Sequence, residues 1–325
     1  MAMEFTIRKM CEADLGQVAS IEAGAFTDWY RVHRRDPEPL PERTLDELRY
    51  ATSIDPDANL VAVSAEGAMV GFILARSWGS VGWFGTFGVQ TQFQGLGIGK
   101  ALIACTVRHL KKSCSVIGLE TMPESGANLG LYARMGFVVG YPTVIVESGL
   151  ERSGEDSGGT EIVPWGPLGP GEREELLEGV RDIGDAILSG LDYTVAIEAM
   201  SRHGFGETFF ATDGRRLDGF AVLRTAPFRK VDGQRHGYVH AMALRNGCDR
   251  ERVLGGLLDR MRERASEAGR ASLVAGVSGR YPEALDLLYS QGFRSKRASI
   301  RMIERPSSPE VFERSPQVNS SRWVG

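Results

Sequence analysis

The chain has 325 residues, of which 42% are hydrophobic and 25% charged, and its formal net charge is −4. A length of this order suggests two domains, each with enough apolar material for its own core. The mild acidity argues against a nucleic-acid partner, because neutralising phosphates takes a basic surface. The four cysteines, Cys11, Cys105, Cys114 and Cys248, include no CxxC pair. No metal site is therefore expected, and scattered thiols of this kind suit a reducing compartment. The opening MAMEFTIRKM has no signal-peptide core, and no apolar run is long enough to cross a membrane. A soluble, cytoplasmic protein without a membrane partner is expected.

In chain order, residues 5–8 (FTIR) read as a short strand. Residues 12–25 carry Leu15, Val18, Ile21 and Ala25 at helical spacing, with Asp14 near the start, where a carboxylate suits the helix dipole. Residues 59–64 and 68–77 read as two strands, and 82–89 (GWFGTFGV) as a third that runs directly into a glycine-rich loop. Residues 101–112 (ALIACTVRHLKK) are helical, with cations in the last turn. Residues 115–121 form an apolar strand, 129–135 a short helix stopped by Gly136, and 137–147 a returning strand pair.

Residues 148–160 (SGLERSGEDSGGT) have the composition of a linker between domains at 1–147 and 161–305. Residues 306–325 are polar and rich in Pro and Ser, and are expected to fray, with Trp323 and Val324 available to dock. The second half repeats the order of the first. GFAVL at 219–223 resembles GFILA at 71–75, and HAMAL at 240–244 stands in the place of residues 85–89. A helix over 253–264 and a strand over 271–277 follow. LYSQGF at 288–293 then echoes LYARMGF at 131–137 with one residue fewer. The recurrence points to a tandem duplication.

A strand, glycines and a helix together make an anion trap. Gly95, Gly97 and Gly99 let the backbone turn tightly, its N–H groups can converge on a phosphate, and the helix adds its positive end. A P-loop is disfavoured because Gly99-Lys100 is followed by Ala101 rather than Ser or Thr. A Rossmann turn needs G-x-G-x-x-G, and GLGIG has the wrong spacing. Gln92, Gly95 and Gly97 fit the Q/R-x-x-G-x-G/A signature of the GNAT acetyltransferase superfamily. Residues 3–147 resemble that superfamily from FTIR to the LY…GF ending. The resemblance implies an α/β mixed-sheet fold of two GNAT-like domains, each a splayed sheet flanked by helices, opening between strands 82–89 and 115–121. Acetyl-CoA is the implied cosubstrate, with no metal. Its pantetheine arm would pair like an added strand with backbone at Phe87, Gly88 and Val89. Its pyrophosphate would sit on the amides of Gln94, Gly95, Leu96, Gly97, Ile98, Gly99 and Lys100. Asn128 is placed with the cofactor-binding residues.

Acetyl transfer to an amine needs a proton acceptor, a donor for the oxyanion and an acid for the departing thiolate. Tyr132 resembles the tyrosine that often serves as the acid in this superfamily; packing is its plainer reading. A phenol of pKa about 10 facing a thiol of about 8.5 is uphill by roughly 2 kcal/mol, so a hydrogen bond or late proton transfer is expected. Glu120 resembles the glutamate thought to act as base in the Leu-Glu-Val strand of ribosomal-protein alanine acetyltransferases. Its spacing to Tyr132 agrees, but Ser125 stands where an asparagine is usual. A water chain could replace it, and a solvated strand-end carboxylate is the plainer reading. The oxyanion donor is expected to be a backbone N–H near Val89. Arg31, His33, Arg34, Arg35, Asp36 and Glu38 fall where the superfamily covers its acceptor, although each alone reads as a solvated charge. His109 is expected at the surface, and Trp78 and Trp83 in the core.

In the second half RNGCDRERV at 245–253 replaces the loop: its glycines are gone, and Asp249 and Glu251 would oppose phosphates. Tyr289 survives. This half is expected to be a degenerate copy that supports the first, shapes the acceptor site or holds a homodimer together. The implied function is transfer of an acetyl group from acetyl-CoA to a primary amine of a small molecule or peptide. The alternative is a non-catalytic sensory module that keeps acetyl-CoA as a ligand. A nucleotide-binding protein is a third reading.

Overall fold

In the computed structural model, which describes residues 4–34, 38–151, 160–214, 216–231, 235–305 and 309–321, the first half runs β1 (Phe5–Lys9), α1 (Leu15–His33), α2 (Leu45–Ser53), β2 (Leu60–Ser64), β3 (Met69–Trp78), β4 (Val81–Val89), α3 (Ile98–Leu110), β5 (Val116–Thr121), α4 (Gly126–Arg134) and β6 (Phe137–Gly149). The second half runs β7 (Glu161–Pro164), α5 (Pro170–Ile187), α6 (Thr194–Arg202), β8 (Gly206–Asp213), β9 (Arg216–Arg224), β10 (His236–Leu244), α7 (Arg250–Glu267), β11 (Ser272–Ser278), α8 (Pro282–Ser290), β12 (Arg294–Glu304) and β13 (Asn319–Ser321).

The near-continuous apolar run of β3 follows from burial on both faces. Phe72 and Leu74 meet Val18, Ile21 and Leu48 of α1 and α2, whereas Ile73 and Ala75 meet Leu102 and Ile103 of α3. Helix α2, absent from the sequence reading, starts at Thr44, whose side chain accepts from the Glu47 N–H. Thr44 and Glu47 are three apart, a spacing that marks helix starts.

The thirteen strands of the described residues join one sheet. Its order is β1-β2-β3-β4-β5-β12-β6-β11-β10-β9-β8-β7, with β13 paired to β10. The halves therefore exchange strands: β12 lies between β5 and β6, and β6 lies between β12 and β11. The exchange is reciprocal. Shifting by 156 positions, the separation of Phe137 and Phe293, turns the pairing Arg294–Glu147 into Val138–Ile303, which is also present. The same shift turns Gly118–Ile303 on β5 into Val274–Glu147 on β11. The core follows the sheet across the seam, so Trp78, Trp83 and Val116 share one cluster with Tyr193, Phe220 and Leu257.

Three expectations change. Residues 137–147 do not fold back as a strand pair but form one strand, whose neighbours both come from the second half. The linker expected at 148–160 begins inside that strand, where Ser148 and Gly149 pair with Leu273 and Ser272; residues 152–159 lie outside the described residues. The tail expected to fray from 306 is seated over 309–321. Arg280 holds it through the Glu313 carbonyl and Ser315 N–H, and Asn319–Ser321 adds a strand to β10. Trp323 and Val324 lie outside the described residues. No helix among the described residues is long and apolar enough to cross a membrane.

Candidate active site

The sheet opens where β4 and β5 part. They pair in parallel only from Val81–Val116 to Phe84–Leu119. Just beyond, β4 bulges: Ala75 faces Phe84 and Ile73 faces Phe87, so Gly85 and Thr86 oppose the single residue Leu74. A bulge bends its strand and re-aims the residues that follow. Phe87, Gly88 and Val89 thereby line a cleft of about 780 Å³, within the range of small-molecule sites.

The glycine loop forms one end of this cleft. Gly97 caps α3 with φ +86°, in the left-handed region, and no side chain caps the helix. The first amides of α3 are thus left for a ligand. A Cβ built on Gly95 or Gly97 would meet nothing within 4 Å, so both face open space. The Gln94 amide donates to the Val89 carbonyl at 3.1 Å, tying loop to strand.

Of the sequence-predicted residues, Phe87, Gly88, Val89, Gln94, Gly95, Gly97, Ile98, Gly99, Lys100, Glu120, Asn128 and Tyr132 all line this one cleft. Leu96 does not line it, and its side chain turns outward, 45% exposed.

Tyr132 sits on α4 among Phe84, Phe87 and Phe137. Burial pushes its phenol above the ordinary value, which makes it a poorer proton donor but leaves a neutral hydrogen-bond donor at the cleft wall. Glu120 is not a solvated strand-end carboxylate. Its side chain is 3% exposed and accepts from Thr143 Oγ1 at 2.6 Å, Ser299 Oγ at 2.7 Å and Arg301 at 3.0 Å. With donors from β6 and β12 engaged, it ties the seam between the halves together while facing the cleft.

Of the cluster after α1, Arg34 lines the cleft, pairs with Glu124 at 2.8 Å and lies over Trp29 and Tyr30. Arg31 and Glu38 are exposed, and His33 is exposed and stacks on Trp29. Arg35 and Asp36 lie outside the described residues. His109 is not simply a surface residue: it is half-buried and meets Asp55 at 3.1 Å. Trp78 and Trp83 are buried. Ser125 is also buried and stands at the N-cap position of α4 without a side-chain cap hydrogen bond.

The far wall was not foreseen residue by residue. Glu22, fully buried, accepts from Arg43 at 2.8 Å and from Arg229 of the second half at 2.9 Å. Arg43 also reaches Glu47 and the Thr86 hydroxyl on the bulge. Arg229, Arg297, Ala298 and Ser299 bring the second half into the cleft. They come from separate places in the chain, so no local motif announces them. The Thr44–Glu47 cap signal would at least have found α2 beside them.

Among the described residues the second half has no comparable loop. Asp249 caps α7 with its own carboxylate, accepting from the Arg252 N–H, so the place of an anion is taken. Tyr289 is 42% exposed and bonds Ser295. Among the described residues no His, Cys, Asp and Glu side chains gather into a group that could hold a metal ion.

A splayed mixed sheet present twice in one chain, with a glycine loop at the mouth of the first splay, defines a tandem GNAT fold. Residues 25–137 match the model of the acetyltransferase (GNAT) family. A mycothiol acetyltransferase from Paenarthrobacter aurescens (strain TC1) is 28% identical over 113 residues, which span 33% of this chain and 35% of that protein. A putative acetyltransferase from Pyrococcus horikoshii superposes with a TM-score of 0.69 at 19% identity, covering 98% of this chain and 95% of its own. A tandem GNAT protein from the clavulanic acid biosynthesis pathway superposes with a TM-score of 0.61 at 13% identity, covering 94% of this chain and 100% of its own. These likenesses establish the fold of the whole chain.

Proposed function

We propose that the protein transfers an acetyl group from acetyl-CoA to a primary amine bound in the first-half cleft. The observation that carries this reading is the opening between β4 and β5, which leads from the uncapped amides of α3 to the Tyr132 hydroxyl. Pantetheine fits along Phe87, Gly88 and Val89, and the pyrophosphate fits the α3 amides. Lys100 adds a positive charge on the same wall.

The acceptor enters from the wall of Trp29, Tyr30, Arg229 and Arg297. The amine attacks the thioester carbonyl, a backbone N–H near Val89 receives the oxyanion, and the C–S bond breaks with the electron pair leaving on sulfur. Tyr132 donates a hydrogen bond to that sulfur. The raised phenol favours this over early proton transfer. Glu120 already accepts from three side-chain donors, so the amine proton leaves by water, with Glu120 holding the wall in shape.

An acceptor screen that follows release of the CoA thiol tests the reading. Amine-dependent thiol release is expected, and calorimetry should find one acetyl-CoA per chain. Tight binding without thiol release for any amine would instead favour a sensory module.

A further inference from the structure

The two halves carry the same gap and differ in what fills it. In the first, β4 and β5 part after Phe84 and Leu119, leaving Phe87 and Gly88 on an open cleft. In the second, β10 and β11 part after Tyr238 and Val274. The pairings Gly71–Val89, Phe72–Gly88 and Ile73–Phe87 recur as Gly219–Leu244, Phe220–Ala243 and Ala221–Met242. Met242 and Ala243 are therefore the counterparts of Phe87 and Gly88.

There the chain fills the gap itself. β13 runs antiparallel to β10, with Asn319 opposite Ala243, Ser320 opposite Met242 and Ser321 opposite Ala241. The Leu244 N–H donates to the Val318 carbonyl at 3.1 Å. The Ser320 hydroxyl reaches across to the Gly276 carbonyl of β11 at 3.2 Å, and the Tyr193 hydroxyl donates to Asn319 Oδ1 at 3.0 Å. Residues 318–321 are all buried. Without β13, backbone groups of β10 would face a buried gap unpaired, which is costly.

We propose that β13 is a built-in plug in a latent ligand slot. It holds, in the second half, the place that an extended, amide-bearing arm takes in the first, and so leaves the chain one open slot. This rests on reading the first cleft as an acyl-CoA site. The fit is chemical as well as positional. Pantetheine is a linear chain with two amides, and a linear chain with amides can add to a strand edge as a peptide does. The capped start of α7 agrees, since a slot closed to the arm has no use for a phosphate cradle.

The test combines amide exchange with a titration of pantetheine, which lacks the nucleotide phosphates. Ser320→Asp sets a carboxylate against the Gly276 carbonyl and should expel β13, whereas Ser320→Ala should leave it seated. If Ser320→Asp does not fold, Val318→Gly with Ser320→Gly weakens the plug without burying a charge. In the expelled variant the Leu244 amide should exchange about 10-fold faster or more. Pantetheine should then shift the Met242 and Ala243 amides there, and not in the parent or Ser320→Ala. Shifts at Met242 and Ala243 in the parent would overturn the proposal. So would unchanged Leu244 exchange in the weakened variants, or faster exchange with no pantetheine response at these residues. Absence of shifts at Phe87 and Gly88 in every protein would instead refute the first-half reading.

Discussion

At Gly97 the backbone has a conformation that costs an L-residue roughly 1–2 kcal/mol, and its vacant side opens on the cleft. Gly97→Glu is expected to keep the fold by circular dichroism and to abolish acetyl-CoA binding by calorimetry, because bulk and negative charge enter the phosphate nest. Unchanged affinity would remove the loop from the site. At Tyr132 the burial that raises the phenol keeps it protonated through pH 10 and beyond. Tyr132→Phe should slow single-turnover acetyl transfer by about 100-fold, the low end for acid assistance, with little change in acetyl-CoA affinity. Single-turnover measurement avoids masking by slow product release. Since the parent phenol stays neutral, parent and variant rates should keep the same ratio from pH 7 to 10; a ratio that collapses toward pH 10 would mean that Tyr132 ionises and is not acting as argued.

Strands β5, β12 and β6 are joined by side chains as well as by backbone. Arg301 on β12 donates to Glu120 on β5 and to the Ser321 carbonyl of β13, and it lies over Trp83. Arg301→Ala removes a charged donor from the buried Glu120 carboxylate, a kind of change that costs about 3–5 kcal/mol. A fall in denaturant stability of that size is expected, partly recovered when Glu120→Gln is added. A double variant no more stable than the single would mean that Arg301 acts through Trp83 instead. Elements with strong periodicity were legible in the sequence. β3, β4 and α3 fall within a few residues of where spacing places them, and the glycine loop lies at the mouth of the splay. The partner of β6 was not legible. Alternation marks residues 137–147 as strand and says nothing about which chain segment lies beside it. Glu120 shows the same limit: its type and position suggested a base, whereas its donors arrive from Ser299 and Arg301, far along the chain.

Between the halves, α2 rests on the second half. Tyr50 bonds His240 at 3.1 Å, and Glu47 contacts Arg224. Burial, with Arg76 and Arg224 nearby, pushes His240 down to about 3. A histidine lowered in this way refuses a proton that the unfolded chain accepts below about pH 6.5. Stability should therefore be level above pH 6.5 and fall as pH drops toward 3, by about 2 kcal/mol at pH 5. His240→Phe should flatten this part of the curve, and unfolding should remain one transition because the sheet and core cross the seam. Two separate transitions would contradict that coupling. The exchange of strands also sets the order in which the protein can be built during synthesis. The first half, glycine loop included, leaves the ribosome long before the segment that completes it. β5 waits for β12, and Glu120 for Arg301, 181 residues later. Domains usually fold as they emerge, N-terminal first, and pairings so distant in sequence form slowly. A nascent chain that has passed Gly149 therefore carries both β5 and β6 with the edges that face β12 unpaired until Glu304 is in place, and the cleft they border is completed only once that segment has been made.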